Sequence, residues 1–108
     1  MSVSDGFIEY VLDQFSQWGN VTARKMFGGA GLYRDGKMFC LIADDVVYLK
    51  VDDSNRKDFV EAGSSPFKPY PDKLTTMSYF EVPPDVLDDP EELVKWAEQS
   101  LAIQKRKK

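Results

Sequence analysis

Two tight-turn signals in quick succession constrain this chain more than any other feature. Asp35-Gly36 and Asp44-Asp45 each interrupt a run rich in apolar, β-branched and aromatic residues. A two-residue hairpin loop needs both central residues at positive φ, which Gly adopts without strain and Asp tolerates. Residues 21 to 51 therefore read as three antiparallel strands joined by these two turns.

The turns set the register. Arg34 falls opposite Lys37, which places Gly31 opposite Cys40 and Gly29 opposite Ile42. The second turn places Cys40 opposite Leu49 and Ile42 opposite Val47. Side chains alternate between faces with a period of two, so the register assigns them. One face carries Gly29, Gly31, Tyr33, Met38, Cys40, Ile42, Val47 and Leu49. The other carries Met26, Ala30, Leu32, Phe39, Leu41, Ala43 and Tyr48. Glycines on the first face let a helix come close, and the helix before the ribbon is the expected cover. The second face is also largely apolar, which a sheet with one wet side would not show. Its cover is expected to be the last helix or a second copy of the chain.

That first helix opens the sequence. Phe7, Ile8, Val11, Leu12, Phe15 and Trp18 recur at helical spacing and share one face. Ser4 stands at the cap, Val3 and Ile8 at staple positions, and Gly19 at the end. Beyond the ribbon, Asp52-Asp53-Ser54-Asn55 offers caps for a short helix with Phe59, Val60 and Ala62 as its apolar side and Gly63 as its stop. Ser64 to Pro71 is too rich in proline for a central strand and reads as a loop or an edge strand. Thr75 to Val82 reads as a further strand, stopped by Pro83-Pro84. Asp89-Pro90-Glu91-Glu92 opens the last helix with a cap, a proline in the first turn and a reciprocal glutamate. Leu93, Trp96, Ala97, Ser100 and Leu101 form its inward stripe. The fold class is α+β: an antiparallel β-sheet of four to five strands with packed helices, in the order α-β-β-β-α-β-(β)-α. Residues 1–104 make one domain, and Lys105 to Lys108 a basic tail.

Composition narrows the function classes. With 108 residues the chain supports one core. Its 43% apolar and 30% charged content is that of a folded protein. A net charge of −4, from 14 basic and 18 acidic residues, disfavours broad nucleic-acid binding, which rests on neutralising phosphates. Cys40 is the single cysteine, so no internal disulfide forms and a reducing compartment is expected. No apolar run approaches the roughly 20 residues of a membrane span. Acids stand at the N-terminus where a secretory signal would be basic, so a cytoplasmic location is expected.

The chemistry-bearing motifs are weak. Gly28-Gly29-Ala30-Gly31 leads into a hairpin, not a helix start, and lacks the Lys-Ser or Lys-Thr of a phosphate loop. The chain has no His, so Cys40 lacks the commonest base for a nucleophile and reads as a small core residue. Asp44-Asp45, Asp52-Asp53 and Asp88-Asp89 lack the pattern of a calcium loop and read as turns and caps. No metal or cofactor is expected. Carboxylates meeting in space would still allow a small enzyme using acid–base chemistry.

The run Arg24-Lys25-Met26-Phe27-Gly28-Gly29-Ala30-Gly31-Leu32-Tyr33, then Asp35-Gly36-Lys37-Met38-Phe39 and Val47-Tyr48-Leu49-Lys50-Val51, resembles the TfoX N-terminal domain family. Ala62-Gly63, Pro66-Phe67, Met77 through Pro83, and Asp89 through Leu93 with Trp96 continue the likeness over nearly the whole chain. The resemblance implies a compact α+β domain related to bacterial regulators of competence for DNA uptake, with no catalytic residues to carry over. The expected function is therefore a non-enzymatic regulatory or protein-interaction module. Met26, Leu32, Phe39, Leu41 and Tyr48 are its expected interface, for a partner protein or a homodimer. The alternative is a nucleic-acid accessory protein using Arg24, Lys25, Arg34 and Lys37, with Phe27 and Tyr33 nearby for stacking.

Overall fold

Ser4 starts the first helix as its position predicts. Its Oγ accepts a hydrogen bond from the Phe7 N–H at 3.2 Å, which satisfies a donor that a helix start leaves free. Helix α1 (Asp5–Gln14) buries Ile8 and Val11, and the capping residue Phe15 is wholly buried. Gly19 and Asn20, at φ 76° and 62°, then turn the chain into the sheet. This computed structural model describes residues 4–26, 29–67 and 78–106. The expected staple contact of Val3 lies outside them.

One five-stranded antiparallel sheet follows, in the order β1-β2-β3-β4-β5. Its strands are β1 (Thr22–Met26), β2 (Gly29–Arg34), β3 (Lys37–Ala43), β4 (Val46–Lys50) and β5 (Tyr79–Glu81). Both tight turns form. Asp35 and Gly36 take φ 54° and 76°, and Asp44 and Asp45 take 53° and 57°. The ribbon holds one strand more than its turns announce, because residues 22–34 are divided between β1 and β2.

The register departs from the expected one at a single place. Arg34 opposes Lys37 and Tyr33 opposes Met38, but Leu32 then opposes Cys40, Gly31 opposes Leu41 and Ala30 opposes Ile42. Phe39 is the extra residue of a β-bulge. A slip of one residue exchanges the faces of everything beyond it. The expected pairs Gly31–Cys40 and Gly29–Ile42 are therefore corrected, while Cys40–Leu49 and Ile42–Val47 hold.

Ala30, Leu32, Phe39, Cys40, Ile42, Val47 and Leu49 consequently join one core with the helices. Gly29 and Gly31 face the other way, so they do not ease the approach of α1. A β-carbon on Gly31 would meet Met38 Sδ at 2.6 Å and Met26 Cε at 3.0 Å, and one on Gly29 would strike the Ile42 carbonyl. The glycines make room for strand and methionine packing on the face away from the helices.

All four helices feed the same core. Phe59 comes from α2 (Arg56–Glu61), Val86 from α3 (Pro84–Leu87), and Leu93, Ala97 and Leu101 from α4 (Pro90–Arg106). Phe39 packs edge-on against Phe15 and Trp18, with centroids 5.4 and 5.3 Å away, and Phe59 packs edge-on against Trp96 at 4.8 Å. Contacts of this geometry add about 0.5–1.5 kcal/mol each beyond the area they bury.

Several local expectations are refined. Asn55 leads α2 without a side-chain cap. Its buried amide instead accepts from the Asp52 N–H at 2.9 Å and donates to the Lys50 carbonyl at 3.1 Å. Only Phe59 of the expected apolar side of α2 is buried; Val60 is 57% exposed and Ala62 is exposed. Pro84 does not merely stop β5; it begins α3. Asp89 caps α4, its Oδ1 accepting from the Glu91 and Glu92 N–H groups at 3.1 and 3.3 Å. Glu92 pairs with Lys95 and so does not reach back to the cap. Lys105 and Arg106, read as a tail, form the last turn of α4.

The far edge of the sheet is lined by residues 65–67. Pro66 bridges to Phe80, and the Phe67 N–H donates to the Tyr79 carbonyl at 2.7 Å. Of the expected strand Thr75 to Val82, β5 supplies residues 79–81, and residues 75–77 lie outside the described set. Residues 68–71 of the proline-rich segment lie outside it too.

Candidate functional site

The surface left by this architecture is the sheet face away from the helices, together with the outer edge of β1. Leu41, Ala43, Phe67 and Tyr79 form a small second cluster there, with Met38 and Tyr48 half-buried at its margin. The Tyr48 and Phe67 rings stand 4.9 Å apart. The cover of this face thus comes partly from the β5 side of the same chain. The last helix lies on the opposite face, so that expected cover is corrected.

The five expected interface residues are split. Met26, Leu41 and Tyr48 share the face away from the helices, with Met26 and Tyr48 half-buried. Leu32 and Phe39 are wholly buried in the helical core. The bulge at Phe39 is the physical reason, since it turns both side chains inward. Met38 and Gly31 belong to the outer face, whereas unbroken alternation puts them on the inner one. Phe67 and Tyr79 join them through the pairing of β5, for which the sequence offers only a proline-flanked hint.

Burial raises the Tyr79 hydroxyl to about 12. Burial also raises Tyr48, helped by the charges of Glu81 and Asp44. Lys50 Nζ lies 5.3 Å from the centroid of the Tyr79 ring, a cation over an aromatic face. Around these, the outer face is apolar in the middle, with cations at Arg24 and Lys50 and the Glu81 carboxylate beside Tyr48.

The four cations of the nucleic-acid alternative do not form one surface. Arg24 opposes Gly31 and Lys25 opposes Ala30, so the two point to opposite faces. Lys25 pairs with Asp5 at the start of α1. Arg34 has a structural task. Its guanidinium lies 4.5 Å over the Trp18 ring, Nε donates to the Gly19 carbonyl at 3.0 Å, and Nη2 donates to the Trp18 carbonyl at 3.3 Å. Lys37 is exposed at the β2–β3 turn. Of the basic tail, Lys105 pairs with Asp35 at 2.8 Å and Arg106 with Asp52 at 3.3 Å, while Lys107, Lys108 and the expected stacking residue Phe27 lie outside the described residues. The Lys105 hydrogen bond holds the Asp35 carboxyl below its usual range. A shallow groove of about 220 Å³ runs among Trp18, Arg34, Glu98, Leu101, Ala102 and Lys105, with charge of both signs on its rim.

Cys40 is wholly buried, and desolvation pushes its thiol far above the ordinary value of 9.0. A thiol in that state is neutral and a poor nucleophile. Asp44 and Asp45 supply a turn, and Asp52 Oδ1 accepts from the Ser54 N–H at 2.7 Å. Among the described residues no three His, Cys, Asp or Glu side chains converge on a metal site. No described helix is long and apolar enough to cross a membrane.

The two edges of the sheet differ. The β5 edge is lined by residues 65–67, whereas β1 is terminal and exposes Thr22, Arg24 and Lys25. Among the described residues no backbone hydrogen bond reaches β1 from its outer side.

These features define a class: a two-layer α+β domain with its helices on one face of an antiparallel sheet. The sequence profile of the TfoX N-terminal domain matches residues 13–103, and the chain belongs to that family. No curated protein matches the chain.

Proposed function

We propose that the chain is a non-enzymatic regulatory module, similar to the N-terminal part of a competence regulator, that acts by binding another protein. One observation carries this reading. Every described helix packs on the same side of the sheet, and the other side presents half-buried Met26, Met38 and Tyr48 around a small apolar cluster. Flexible methionines and an amphipathic tyrosine suit a protein interface, where each well-buried anchor is worth about 1–3 kcal/mol. The inert, buried state of Cys40 supports a binding role over a covalent one.

The test uses the immobilised chain and extract of its native host. Wild type retains a host protein, and Met26→Glu loses it while keeping the wild-type melting midpoint. Met26 suits this better than Leu41, because Leu41 is only 9% exposed and its charged variant would damage the fold. A folded wild-type chain that retains nothing removes the reading.

A further inference from the structure

We propose that the outer edge of β1 accepts an extended, acidic segment of a partner protein as a sixth strand. This rests on the interaction reading above and states where and how the partner is held.

An edge strand presents a row of backbone donors and acceptors, and an incoming strand satisfies them while its side chains alternate between faces. β1 is the edge that meets this description. Its outer side carries no described backbone bond, and Thr22, Arg24 and Lys25 are exposed along it. The opposite edge, β5, already has residues 65–67 beside it.

Charge chooses the occupant. Arg24 and Lys25 project from adjacent positions to opposite faces, so a strand laid along β1 meets a cation on either side. Lys25 already holds a carboxylate, that of Asp5, with both side chains solvent-exposed. No described carboxylate pairs with Arg24. Cross-strand pairs of opposite charge are favourable and like pairs are not, so an acidic strand fits where a basic one is repelled. The same rule disfavours a second copy. Antiparallel self-pairing keeps faces in register, and centring it on Arg24 or Lys25 sets each against its own copy. Centring it on Ala23 avoids that clash but uses only the first part of β1.

The experiment uses the full chain and an eight-residue peptide alternating pairs of valines with pairs of glutamates, so that carboxylates project to both faces. The peptide binds, and it slows hydrogen exchange at alternate β1 amides, those that face outward. N-methylation of one alternating set of peptide residues abolishes binding, while methylation of the other set does not. The Arg24→Glu/Lys25→Glu variant binds about tenfold more weakly, and it prefers the corresponding valine–lysine peptide. Absence of binding at millimolar peptide overturns the proposal, as does binding indifferent to N-methylation, which would place the peptide on side chains alone. A wild-type dimer in sedimentation that the double variant dissociates would make the occupant a second copy and overturn the acidic segment. A host protein retained equally by wild type and double variant, yet lost by Met26→Glu, would leave the interaction reading standing and remove the edge from it.

Discussion

The side-chain amide of Gln104 donates a 2.7 Å hydrogen bond to the main-chain carbonyl of Met38, 66 residues earlier in the chain. Met38 is the last regular pairing position before the bulge at Phe39. A bulge disrupts the ladder locally and leaves backbone groups short of strand partners. The last turns of α4 thus bond the main chain directly beside the bulge. Removing it takes away one part-buried hydrogen bond, which costs about 0.5–1.5 kcal/mol. Gln104→Leu is expected to lower the unfolding free energy by about that amount in urea titrations. An unchanged midpoint would mean that the bulge holds without α4.

The bulge also has a packing cause. Phe39 enters a pocket between Phe15 and Trp18, both from the chain that precedes the sheet. Phe39→Ala is expected to cost about 3–5 kcal/mol, the range for a buried aromatic truncated to a methyl. Val60→Ala, at an exposed position on α2, should change stability by less than about 0.5 kcal/mol. Equal losses at the two positions would contradict the assignment of Phe39 to the core.

The two β2 glycines predict an ordered pair of effects. A methyl at Gly29 meets the Ile42 backbone, which cannot move without disturbing the ladder. A methyl at Gly31 meets the far ends of Met38 and Met26, which can rotate away. Gly29→Ala should therefore destabilise more than Gly31→Ala, with overpacking costs of about 1–3 kcal/mol. Thermal melts of the two variants check the order, and a reversed order would place the glycines on the wrong face.

Much of this architecture was written locally. Ser4, Asp35-Gly36, Asp44-Asp45, Gly63 and Asp89 act through their own backbone conformation or within three residues of themselves, and each does so where expected. The inward stripe of α4 needs only helical period. The register past Tyr33 is different in kind. It depends on where the Phe39 side chain finds a pocket, on a glutamine 66 positions away, and on clearance for two methionines. None of these leaves a mark on the alternation of β2 or β3. The site inherits the same boundary. Alternation along β3 and β4 puts Leu41 and Tyr48 on the outer face; Met26 reaches it only because its pairing with Gly29 reverses the parity a second time, whereas Leu32 and Phe39 lie inside because one unpaired residue reverses it once. The split of residues 22–34 into two strands is hidden for another reason: Gly28-Gly29-Ala30-Gly31 offers several turn positions in sequence and marks none of them.

Alkaline stability provides a test of the core that needs no partner. The Cys40 thiol ionises near its ordinary 9.0 in the unfolded chain but keeps its proton in the fold, because burial penalises the thiolate. Tyr79 behaves alike, its hydroxyl raised from 10.0 to about 12 chiefly by burial. Above pH 9.0 the folded chain therefore binds more protons than the unfolded one, so stability falls as pH rises. The contribution of each group is fully present below its unfolded value and lost as pH climbs toward its folded one. The slope approaches about 1.4 kcal/mol per pH unit for each group titrating only in the unfolded chain. Urea titrations under reducing conditions should show stability flat near neutrality and declining above pH 9.0. Cys40→Ala should remove the first part of the decline, and Tyr79→Phe should lessen the part that begins near 10.0, to which the raised Tyr48 also contributes. A profile that Cys40→Ala leaves unchanged between these two values would mean that the thiol reaches solvent, and that the face of the sheet beneath the helices is not sealed.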